Sequence, residues 1–128
     1  MNGYITIFET GMQYAQSAES LARGSRFLPS MALNMIGLAT ECLLGSVVEK
    51  YDLYVPHVSV GTLGQALAKA GRFPEALQPH LKLLSLGCAV CSVSGDDAKF
   101  APNIDKLLNA FAHIKDWVAT EMIEKAPA

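Results

Sequence analysis

A chain of 128 residues has the size of one domain and buries roughly two-thirds of the surface its unfolded form exposes. It is 51% hydrophobic and only 17% charged, a balance that points to a subunit interface together with an unusually buried central helix. The net charge is −2 and the 10 basic residues are scattered. That argues against a duplex-DNA binder, whose footprint is a basic stripe, and leaves room for a nucleotide or a short RNA contact.

In chain order, Thr6-Ile7-Phe8-Glu9 has the form of a capping box, and Thr10-Gly11-Met12-Gln13 repeats it one turn later. The pattern predicts a helix from about Ile7 to Arg23, with Ile7, Gly11, Tyr14, Ala18, Leu21 and Ala22 along its inner side. Gly24-Ser25-Arg26 ends it. The segment Leu28 to Tyr51 comes next, apolar on nearly every side, with Glu41 its only formal charge before Glu49. Pro29 suits a first helical turn. A helix apolar all round is buried in a core or in a membrane. Residues 28–48 are long enough to span a bilayer, but Asn34, Thr40 and Glu41 interrupt them. A central carboxylate costs about 2.5–3.5 kcal/mol on insertion, and no Lys/Arg cluster flanks the run, so a core helix and no membrane span are expected.

Pro56 is read as ending this helix. Ser59 or Thr62 caps a short helix that Gly71 stops in the C′ role, with Gly61 and Gly64 weakening it. Phe73-Pro74-Glu75 opens the next element, which the pattern makes helical from His80 to Ser94, followed by an exposed loop at Gly95-Asp96-Asp97. Pro102-Asn103 opens a last helix running to about Lys125, whose stripe is Ile104, Leu107, Leu108, Phe111, Ile114, Val118 and Met122. Nothing alternates with period two. The reading is a single all-α domain over residues 1–128, a four-helix up-and-down bundle with one extra short helix.

Cys42, Cys88 and Cys91 lie inside apolar runs. An odd count and a start, MNGYITIFETG, without the features of a signal peptide predict reduced thiols and a cytoplasmic location. Cys88-Ala89-Val90-Cys91 is a CxxC without the second pair a zinc ribbon needs, so no metal and no cofactor are expected. Glu41 is the most informative polar residue. A carboxylate in so apolar a helix is paired, solvated or functional, and Asn34 lies on the same face, with Leu38 and Gly45 on that stripe. The functional reading is a polar patch opening on a ligand or partner; the structural reading is a hydrogen bond to a loop N–H or to His57. His57 directly follows Pro56. On the last helix Asn109, His113, Asp116 and Thr120 form the polar side, flanked by Trp117, either an interface anchor or a ring lying over a neighbouring helix.

Ala18-x-x-Leu21-Ala22, the run Ala39-Thr40-Glu41-Cys42-Leu43-Leu44, and His57 with the later Leu63 together resemble a HEPN domain. In that family an A-x-E-x-x-L-K run closes a helix and is followed by a loop carrying His-x-Leu. Here Ala39, Glu41 and Leu44 match, Gly45 stands where a lysine is common, and the His-to-Leu spacing is longer. The segment Ala112 to Val118 is similar to a HEPN closing helix. The resemblance covers most of the chain. It implies a small helical bundle, a homodimer, and a nucleotide, an RNA segment or a nucleotidyltransferase as partner, in a toxin–antitoxin type of setting.

The ribonuclease branch of the family carries Arg, four to six residues, then His. Here Leu108 stands where that arginine would precede Asn109 and His113, and Arg72 and His80 are too far apart. Without the arginine no group stabilises a phosphoryl transition state. The expectation is therefore a non-catalytic HEPN-like module with Glu41, Asn34 and His57 as its ligand-binding surface and Trp117 at an interface. The alternatives are a divergent ribonuclease using His113 and Asn109, or a plain protein-interaction bundle.

Overall fold

The computed structural model describes residues 3–23, 29–56, 58–85 and 104–123. Every regular element among them is helical. Helix α1 spans Gly3–Arg23 and α2 spans Pro29–Lys50. The short α3 is Val60–Lys69, α4 is described over residues 78–85, and α5 is Ile104–Ile123. The helix expected from His80 therefore begins at residue 78, led in by a 3₁₀ turn at Glu75–Leu77. Pro79 falls in its first turn, where an N–H has no partner to lose. The expected continuation to Ser94, the 95–97 loop, Cys88 and Cys91 all lie outside the described residues.

Helix α1 starts a turn earlier than its apparent capping boxes suggest. Thr6 lies inside the helix, and the Thr10 hydroxyl donates to the Thr6 carbonyl at 3.0 Å. A threonine within a helix turns its hydroxyl back to the preceding turn, so the same residue pattern that caps a helix also occurs in its interior. The inner side of α1 is built of small residues. Ala15 and Ala18 are buried, and a Cβ on Gly11 would approach Leu43 to 2.9 Å. This lets α1 lie close along α2, its most extensive partner.

Helix α2 is the centre of the molecule, touching α1, α3 and α5. Leu33, Ile36, Ala39, Leu43, Leu44 and Val47 are fully buried, joined in one core by Leu67 of α3, Leu84 of α4, and Phe111, Ile114 and Val118 of α5. Its buried hydroxyls are satisfied within the helix: Thr40 donates to the Ile36 carbonyl at 2.7 Å and Ser46 to Leu43 at 2.6 Å. The helix ends before Pro56 acts. Asp52 takes a left-handed conformation at φ 54°, Asp52 N–H bonds the Glu49 carbonyl at 3.1 Å, and Leu53 N–H bonds Val48 at 3.0 Å. This is a Schellman closure with an aspartate at C′.

Ser59 is the N-cap of α3, and Thr62 answers it. Thr62 N–H donates to Ser59 Oγ at 3.1 Å, and Ser59 N–H to Thr62 Oγ1 at 2.9 Å. The threonine does the work of the usual Glu in the box. Gly71, at φ 71°, closes the helix as expected. Gly64 is more than a weak point: a Cβ there would lie 2.2 Å from Leu81 Cδ2 and 3.0 Å from its Cγ, so α3 and α4 meet where no side chain fits. Gly64→Ala is expected to displace all of Leu81 and to lower stability by about 1–3 kcal/mol, read by chemical denaturation; an unchanged midpoint would show that the two helices separate freely.

Candidate functional site

At 100° per residue, Met31, Asn34, Met35, Leu38, Glu41, Cys42, Gly45 and Glu49 fall within about 120° of one another on α2, an arc whose flank still meets the fold, since Met35 packs against the core and Cys42 lies against Gly11 of α1. Met31 and Leu38 are each 44% exposed, Asn34 and Glu49 are exposed, and Met35, Glu41, Cys42 and Gly45 are half-buried. The central helix is thus not buried all round. Its outward arc is largely apolar, holds no Lys or Arg, and places Asn34 and Glu41 together as the sequence pattern indicates.

Partial burial pushes the Glu41 carboxyl above its ordinary value of 4.5. Burial, and then the charge of Glu41, pushes the neighbouring Cys42 thiol up as well. The thiol stays protonated at neutral pH and is a poor nucleophile. Because the folded chain holds the Glu41 proton more tightly than the unfolded chain, its contribution to stability grows as pH falls toward 4.5 and is lost as pH rises through the folded value. Glu41→Gln is expected to remove this component from a stability–pH curve; an unaltered curve above pH 4.5 would contradict the assignment.

Among the described residues the deeply buried carboxyl is a different one, Glu121 of α5, 4% exposed. The Tyr51 hydroxyl donates to Glu121 Oε1 at 2.9 Å, and Lys50 Nζ donates to the Glu121 main-chain carbonyl. The Arg72 guanidinium lies 3.9 Å from the centre of the Tyr51 ring, a cation–π contact. Lys50 and Tyr51, at the end of α2, are thereby fastened to Glu121 near the end of α5. Neither Lys50 nor Glu121 stands out in sequence, since each sits among ordinary helix-end charges.

A second junction joins α4 to α5. His80 and His113 stack with ring centres 4.3 Å apart and planes 15° from parallel. Phe73 meets Trp117 edge-on at 5.2 Å and 80°. Trp117 is half-buried, while Asn109 and His113 are on the exposed side of α5. One face of the His113 ring is therefore taken by His80, a neighbour that sequence spacing does not reveal. His57 lies outside the described residues.

Among the described residues no group of three or more His, Cys, Asp or Glu gathers to hold a metal ion. The concavities lined by described residues are shallow. One of about 280 Å³ between α3 and α4 is lined by Gly61, Gln65, Gln78, Leu81, Lys82 and Ser85, and Lys115 and Glu19 form an ion pair at 2.9 Å beside another. Helix α2, over Met31–Lys50, is long and apolar enough to cross a membrane, and more than half of it is buried inside the fold. These features define an all-helical domain built around α2. No protein-family model matches the chain, and no curated protein or solved structure matches it either.

Proposed function

We propose that the chain is a non-catalytic, HEPN-like binding module that works through protein–protein contact, as a homodimer and as the partner of a nucleotidyltransferase. The observation that carries this reading is the outward arc of α2, where Met31 and Leu38 stand exposed beside Asn34 and Glu41. Its negative charge and lack of cations suit a protein surface better than a phosphate, which would meet Glu41 and Glu49 unopposed. The nucleotide and RNA alternatives are weaker for the same reason. A ribonuclease reading through Asn109 and His113 is weakened further, because the His113 ring is stacked on His80 and His113 has no arginine at the family's spacing to stabilise phosphoryl charge.

The test is co-purification with a nucleotidyltransferase encoded beside this chain, together with incubation of the pure protein with single-stranded RNA. Co-purification that Glu41→Arg abolishes, with RNA left intact, supports the reading. RNA cleavage that His113→Ala removes would replace it with the catalytic one.

A further inference from the structure

The outward arc of α2 is self-complementary, and we infer that it is the surface on which a second copy of this chain docks, α2 against α2 in antiparallel orientation. The inference deepens the protein-contact reading above and rests on it. Met31, Asn34, Leu38, Glu41 and Gly45 recur at alternating spacings of three and four residues, the seam along which two helices pack nearly parallel or antiparallel. From Met31 to Gly45 the seam is about 21 Å long at 1.5 Å per residue.

A two-fold axis through Leu38 arranges this seam against its copy. Leu38 meets Leu38 at the centre. Met31 and Gly45 are equidistant from that centre on opposite sides, so each Met31 faces a Gly45 of the other copy. Gly45 has no atom within 4 Å of where its Cβ would be, which makes it an open hole on the helix surface, and Met31 is a flexible apolar side chain 44% exposed. The same axis brings each Asn34 amide to within one residue's rise, about 1.5 Å, of the level of the other copy's Glu41 carboxyl. Large faces small, apolar faces apolar, and amide faces carboxyl. A parallel pair would instead stack Glu41 on Glu41 and leave both Gly45 holes facing each other.

A lipid surface would require Glu41 in the apolar layer, with no basic residue on the arc to meet headgroups. A second copy supplies Glu41 with a hydrogen-bond donor.

The test uses disulfide trapping in the full chain with Cys42, Cys88 and Cys91 replaced by serine. Under mild oxidation Leu38→Cys is expected to give a covalent dimer. Met31→Cys alone is expected to stay monomeric on reducing-agent-free gels, and a mixture of Met31→Cys with Gly45→Cys chains to form the mixed dimer. Self-linking of Met31→Cys would overturn the antiparallel arrangement, and a Leu38→Cys chain that stays monomeric would overturn the surface. A second variant keeps the native cysteines: Gly45→Leu fills the hole, and its Cβ meets no atom of its own chain within 4 Å, so the circular dichroism spectrum is expected to be retained while the dimer dissociation constant rises at least tenfold. An unchanged dissociation constant would overturn the proposal, as would a wild type that is monomeric in buffer and sediments with phospholipid vesicles. A dimer that forms but never links through position 38 would remove this surface and leave the protein-contact reading standing.

Discussion

Phe111→Ala is expected to lower the stability of the fold by about 3–5 kcal/mol. Phe111 heads the largest fully buried side chains and reaches the core from α5. Truncating it removes the transfer free energy of a ring and leaves a cavity whose cost depends on how far neighbours relax into it. Relaxation is limited here. The fully buried α1 side chains of the core are Ala15 and Ala18, too short to fill a gap, with Phe8, Met12 and Tyr14 partly buried against it, and Gly11 already holds α1 as close to α2 as Leu43 permits. The same core holds the fully buried Leu33, Leu43, Leu44 and Ile114. Phe111→Leu keeps most of the volume and is expected to cost under about 1.5 kcal/mol. Urea denaturation of both variants measures the difference; a loss under about 1.5 kcal/mol for Phe111→Ala would mean that the helices collapse onto the space.

The second large effect concerns the fastening of α2 to α5. Lys50→Met is expected to cost about 2–3 kcal/mol, because a charged hydrogen bond to the Glu121 carbonyl disappears and that carbonyl loses this donor in a buried setting. Tyr51→Phe removes a bond to the Glu121 carboxylate and is expected to cost about 1.5 kcal/mol. Both act on one residue, so the double variant is expected to be non-additive by at least about 0.5 kcal/mol. Strict additivity would show that the two contacts are independent. Arg72→Ala removes the cation resting on the Tyr51 ring and is expected to cost under about 1 kcal/mol, since Arg72 is exposed.

The elements of the fold were legible because they rest on local signals. Pro29 at the start of α2, Ser59 before α3, Gly71 after it and the stripe of α5 each carry their physics within a few residues. Where local signals misled, the reason is also local. Thr6 and Thr10 have cap-forming side chains that serve equally well inside a helix, and Asp52 supplies a left-handed residue that sequence reading assigned to the effect of Pro56.

Contacts between distant segments were not legible. Gly64 reads as a flaw in a short helix until Leu81 is placed beside it. His80 and His113 are far apart in sequence, as are Lys50 and Glu121, and nothing in either neighbourhood marks the pairing. Glu41 illustrates both sides. Its position in an apolar helix marks it in the sequence, and helix periodicity alone places it on one face with Asn34, Leu38 and Gly45. Among the described residues the buried carboxyl, however, is that of Glu121, while Glu41 is half-buried on the outward arc of α2.

Sedimentation equilibrium at micromolar concentration decides whether the outward arc of α2 is a contact surface. The wild type is predicted to sediment at twice its chain mass of 13.7 kDa, and Leu38→Glu, with its helical content retained, at the mass of a single chain. Equal masses for the two proteins, whether one chain or two, would contradict the assignment of this face of α2 to partner contact.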